Sequence, residues 1–145
     1  MSVMNKDGVA IIPLAPYVSH DDKVQPSQPL ILWAYTDLTD PRLRLGRKYL
    51  TLRQDPTATE CTKFGLLNVH GWVAYARNEH LFVIKHPYNA GKLYPDFNAS
   101  LESFTNSDML EIETLAPLTP TEPGDRKSTR LNSSHIQKSR MPSSA

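Results

Sequence analysis

The chain has 145 residues, 39% of them hydrophobic, and 16 basic against 15 acidic side chains give a formal net charge of +1. That length supports one domain with a real core. No apolar run approaches the length of a membrane-spanning helix, and the single cysteine, Cys61, excludes an intramolecular disulfide, so a reducing, cytoplasmic setting is the default expectation.

Twelve prolines spread along the chain leave little room for long helices. Between them lie short aliphatic and aromatic runs, in chain order Val9 to Ile12, Leu30 to Tyr35, Tyr49 to Leu52, Gly71 to Arg77, Leu81 to Lys85, Ser100 to Thr105 and Met109 to Leu115. Short runs bounded by turn residues predict an all-β sandwich or barrel. The stretch Pro13 to Pro29 reads as a surface loop. Trp72 to Arg77 and His80 to Lys85 are separated only by Asn78 and Glu79, and asparagine tolerates the left-handed backbone of tight hairpin turns, so this pair predicts a β-hairpin. Both faces of its first strand are largely apolar, which predicts cover on both sides. In the last two runs, Leu101 and Ser103 alternate with Glu102 and Phe104, and Leu110 and Ile112 alternate with Glu111 and Glu113. If these strands pair, three carboxylates share one sheet face and require solvent or cationic partners.

No glycine-rich phosphate loop occurs, and His20, His70, His80 and His86 lack the spacing of a metal site, so the sequence implies neither a metal nor a cofactor. Cys61 without a local signature is more often a packed or surface thiol than a nucleophile. The segment Tyr94-Pro95-Asp96-Phe97-Asn98 sets an aromatic ring beside a carboxylate and an amide. That combination suits sugar recognition, because rings stack on a pyranose while carboxylate and amide bond its hydroxyls; a plain proline turn is the commoner use of such residues. Lys63 and Lys85 are candidate partners for Glu102 or Glu113, against ordinary snorkelling at strand ends. Trp33 and Trp72 are candidate walls of a sugar pocket, although rings in strands, Tyr35 and Tyr75 included, more often belong to a core.

Residues 125–145 differ from the rest of the chain in composition. By composition they form a basic, serine-rich, disordered tail. Read as codons, however, DRKSTRLNSSH and SRMPSSA follow one frame of a common sequencing-library adapter, with Ile136 to Lys138 in place of its variable index. The segment is therefore expected to be an artefact, and the apparent glycosylation acceptor at Asn132 with it. Its five basic residues against Asp125 contribute +4, which leaves residues 1–124 at −3 against the whole chain's +1. A mildly acidic body offers no electrostatic footprint for nucleic acid.

The succession LWAYTDLTDPRLRLG, KFGLLNVHGWVAYARNEHLFVIKH, YPDFNASLESFTN and MLEIETLAPLTPTEPG resembles the domain of unknown function 4380 family, within the galactose-mutarotase-like group. The resemblance runs in order over most of residues 9 to 124. It rests on Lys63 with the Gly-Trp pair ending at Trp72, on Tyr94 to Asp96, and on Glu111 to Leu115. It implies a carbohydrate-handling β-supersandwich of which this chain is roughly the C-terminal half, with exposed sheet edges and a tendency to aggregate. In such enzymes a histidine acid and a glutamate base interconvert anomers. This sequence shows no equivalent pair; Glu102 and Glu113 are the candidate bases, the acid being expected in the missing half, and Lys63, Trp72, Lys85, Tyr94, Asp96 and Asn98, read from the residues above, are the candidate contacts to a sugar. An aldose-epimerase-like enzyme, a noncatalytic carbohydrate-binding module and a nonfunctional truncated product all remain open; no nucleic-acid or membrane partner is implied, and oligomeric state is not legible.

Overall fold

A computed structural model of the chain describes residues 1–124 and the backbone of Ile136–Gln137. The tail expected to be disordered otherwise lies outside the described residues. The chain is all-β, and its two antiparallel sheets form a partial β-sandwich. The first sheet has the strand order β1-β10-β9-β6-β3. Its members are β1 (Ser2–Met4), β10 (Leu110–Thr114), β9 (Leu101–Thr105), β6 (Thr62–Leu66) and β3 (Leu30–Leu32). The second runs β8-β7-β2-β5-β4, built from β8 (His80–Lys85), β7 (Trp72–Arg77), β2 (Val9–Pro13), β5 (Tyr49–Arg53) and β4 (Leu43–Leu45). The backbone of β11 (Ile136–Gln137) lies antiparallel to Phe82 and Leu81 at the β8 edge.

Alternation sorts each strand into an inner and an outer face. Ile12, Leu50, Leu52, Val73, Tyr75 and Ile84 of the second sheet meet Phe64, Leu66, Leu101, Leu110 and Ile112 of the first in one core. Phe64 is fully buried there, and truncating such a ring to alanine costs about 3–5 kcal/mol. The hairpin forms with its predicted bounds, Arg77 opposite His80, and both Asn78 (φ 46°) and Glu79 (φ 62°) are left-handed, as a two-residue turn matching strand twist requires. The core expectation holds for Tyr75, which is 5% exposed, and Ala74 on the opposite face is also buried.

Within residues 1–124 three strands were not legible: β1, β4 and β6. In β6 the inner positions Thr62, Phe64 and Leu66 are buried, but the alternate positions are a lysine and a glycine. The run beginning at Leu30 stops pairing at Leu32, where the chain turns: the Thr36 N–H bonds the Trp33 carbonyl at 2.9 Å.

Candidate functional site

The outer face of the first sheet carries the charged residues. Register places Glu102 opposite Glu113 on one side and opposite Gly65 on the other, while Lys63 lies opposite Phe104 and Phe104 opposite Glu111. Glu102, Glu111 and Glu113 thus share one face, and the repulsion that this entails is answered by Lys63. Its Nζ lies 2.7 Å from Glu102 Oε2 and 2.9 Å from Glu113 Oε2. All three side chains are withdrawn from water, with 3% exposure for Glu102, 16% for Lys63 and 20% for Glu113. An ammonium removed from water in this way is tolerated because Glu113 carries the opposing charge and both glutamates lie within salt-bridge distance of Lys63.

Two further elements close over the cluster. Thr36 Oγ accepts the Trp33 N–H at 2.9 Å and donates to the Lys63 carbonyl, which ties the turn after β3 to the backbone of β6. That attachment sets the Trp33 ring against Lys63, with Nζ 4.7 Å from the ring centroid. Gly65 is the floor: a Cβ there would stand 3.2 Å from Ala99 Cβ, 3.3 Å from Glu102 Cγ and 3.4 Å from Trp33 Cη2. From the other side comes the turn Pro95–Asn98, closed by the Ala99 N–H on the Pro95 carbonyl at 2.9 Å. Asp96, Phe97 and Asn98 all have positive φ, at 48°, 56° and 77°. A run of three left-handed non-glycine residues is costly, and such strain collects at functional sites. The turn carries the exposed Asp96, whose carboxyl acts on Glu102 to raise it.

These contacts separate the two glutamates electrostatically. Burial pushes Glu102 up to about 7; the Lys63 hydrogen bond opposes this, while contacts with Asp96 and Glu113 reinforce it. Its Oε1 is buried and receives no donor. For Glu113 burial acts upward too, but the hydrogen bonds from Lys63 and Glu102 outweigh it and hold the carboxyl below its usual range. Lys63 is raised, burial being overcome by the hydrogen bonds and charges of both glutamates. Tyr35 stands at the rim, 45% exposed, its phenol raised chiefly by burial and moderated by Lys63.

Of the eight expected site residues the structure gathers four, Lys63, Asp96, Glu102 and Glu113. Tyr94 is buried, its hydroxyl accepts the Asn89 N–H at 2.9 Å, and its ring stacks on Tyr88 at 6.0 Å, so its place in the fold is that of a support. Asn98 Oδ1 accepts the Tyr94 N–H at 2.9 Å and shapes the same turn. Trp72 and Lys85 face each other across the hairpin of the second sheet, away from the carboxylates. Trp33, a candidate pocket wall, stands against Lys63, whereas Tyr35, expected in a core, is 45% exposed near it. The signal that points to them is their position just beyond β3, where alternation gives way to a turn.

Among the described residues no group of three His, Cys, Asp or Glu side chains is arranged to hold a metal ion, and no helix is long and apolar enough to cross a membrane. Comparisons with protein-family models, with curated proteins and with solved structures return no match.

Proposed function

We propose that the chain handles a carbohydrate on the outer face of its first sheet, with Lys63, Glu113 and Asp96 bonding sugar hydroxyls and Trp33 and Tyr35 providing the apolar wall. The observation that carries this reading is the pair of glutamates on one ammonium, one pushed up to about 7 and the other held low. Titratable neighbours driven apart in this manner mark acid–base sites. The resemblance to galactose-mutarotase-like sandwiches supports a sugar as the ligand.

In the aldose-epimerase-like form of the reading, Glu102 is the base. Its ionised carboxylate takes the proton of the anomeric hydroxyl. The bond from the anomeric carbon to the ring oxygen breaks, its electron pair goes to that oxygen, and solvent supplies the proton that completes the open-chain hydroxyl. Closure on the other face of the aldehyde reverses these steps. Replacing Glu102→Gln then lowers anomer interconversion of D-galactose, followed by polarimetry, by roughly 10²–10⁴-fold. The wild-type rate rises as pH increases through about 7, the value to which Glu102 is pushed. Unchanged rates in the variant refute the catalytic reading.

A noncatalytic carbohydrate-binding face is the second reading, and the 3% exposure of the Glu102 side chain favours it, because a base must reach its proton. Calorimetric binding of galactose without any turnover selects this alternative. Absence of both binding and turnover removes the carbohydrate proposal.

A further inference from the structure

The second sheet ends in a groove of 540 Å³, bounded by the segments Pro13 to Tyr17 and Arg47 to Tyr49 together with His70 and Trp72. That volume lies in the usual range of ligand sites. Two features set the groove apart from the cluster on the first sheet. Its polar lining is basic or neutral, with no carboxylate among the described residues that bound it. Its apolar lining sets two rings beside Pro13, Leu14, Ala15 and Pro16: Tyr49 and Trp72 stand 6.4 Å apart and tilted by 59°, forming a corner, and Tyr49 is 45% exposed.

The cationic side chains there are free to act. The Arg47 guanidinium lies 3.8 Å from the centroid of the Tyr17 ring. Stacking of that kind holds the planar group in place while leaving its N–H edge available for a carboxylate. Arg47 and Lys48 are exposed, and among the described residues neither is paired with an acid. His70 Nε2 is fixed on the Leu14 carbonyl at 2.9 Å, which anchors the opposite wall.

We infer that this groove binds an acidic oligosaccharide, a chain of uronate residues whose ring faces rest on Tyr49 and Trp72 and whose carboxylates pair with Arg47 and Lys48. A puckered pyranose ring suits a tilted aromatic corner better than a flat nucleobase, which seeks a parallel ring face. The positive charge is also local: residues 1–124 sum to −3, because the five basic residues after Gly124 against Asp125 account for +4 of the chain's +1. A long polyanion therefore meets no extended basic track on the body. The inference is independent of the function proposed for the first sheet.

Isothermal titration of the full chain with tetragalacturonate and with its fully methyl-esterified form tests it. The acid form is expected to bind at least about tenfold more tightly than the ester, and Arg47→Glu and Tyr49→Ala are each expected to weaken it by at least about tenfold. Arg47 lies in the turn between β4 and β5 and Tyr49 on β5, both outside the first sheet, so any anomer interconversion at Glu102 is expected to persist in the two variants. Equal binding of acid and ester, or no binding, overturns the inference. Binding that survives Arg47→Glu places the anion elsewhere, on the basic residues between 126 and 140, and also overturns it. Tighter binding of a thymidine oligonucleotide, lost in Arg47→Glu, reassigns the groove to single-stranded nucleic acid.

Discussion

Folding itself takes up a proton at Glu102. The unfolded side chain is ionised above about 4.5, whereas burial keeps the folded one protonated up to about 7. The stability contributed by this group is therefore fully present below 4.5 and is lost as pH rises through 7. Glu113 has the opposite sign: its folded value is lowered, so its contribution is present above 4.5 and is lost as pH falls through the folded value. The two are separable by substitution. Urea unfolding at several pH values between 4 and 8 is expected to show wild type losing stability relative to Glu102→Gln as pH rises across this window; a difference that does not vary with pH contradicts the burial argument. The sequence indicated that Glu102 and Glu113 share a face and that Lys63 was a candidate partner, since strand alternation and charge suffice for that much. It did not indicate which glutamate would hold its proton. That depends on how the fold buries each carboxyl and on the influence of Asp96, and the Thr36 hydroxyl on the Lys63 carbonyl, which holds the Trp33 turn, joins segments distant in sequence.

At the scale of elements, the two tight turns near these surfaces show how far local chemistry was readable. Asn78 announced the hairpin because asparagine enters the left-handed region readily, yet its neighbour Glu79 adopts φ 62° without that advantage. Glycine at this position removes the steric penalty, so Glu79→Gly is expected to stabilise the fold by about 1 kcal/mol, read as a raised denaturation midpoint with an unchanged slope. A lowered midpoint means that the Glu79 side chain makes a compensating contact. The turn Pro95–Asn98 gave a weaker signal. Proline marked a break, but nothing local forecasts three successive left-handed residues or a Phe97 ring that is 90% exposed. Tertiary constraints impose that shape: Asn98 holds the Tyr94 N–H, and Tyr94 in turn is buried and stacked on Tyr88. Tyr94, a candidate sugar contact, is buried and fixes the loop that carries Asp96. Strand β6 escaped notice for a related reason. Its outer residues Lys63 and Gly65 serve the cluster, so the pattern that normally identifies a strand is interrupted where the site is built.

Across the whole molecule the two outer faces differ, and the difference bears on solubility. The first sheet turns charge outward. The second presents apolar rows, with Val83, Ala74 and Ile11 in register across β8, β7 and β2, and Leu81, Ala76 and Val9 beside them. A hollow of 770 Å³ opens over the latter row, with Arg53 and Arg77 on its margin. These rows end at β8, where the Ile136–Gln137 backbone pairs with Leu81 and Phe82. An apolar sheet face that ends near a strand edge invites association with another copy. A charge at Val83 addresses face and edge together, and the side chain is only half-buried, so the fold has room for a lysine stem. Val83→Lys is expected to suppress concentration-dependent growth in scattering while changing unfolding stability by less than about 1 kcal/mol. If scattering grows as in wild type while stability is preserved, association uses another surface, and the edges formed by β3 and β4 become the next to charge. If stability falls by several kcal/mol instead, Val83 is covered more tightly than its half-burial indicates, and the second sheet is part of the core on both of its faces.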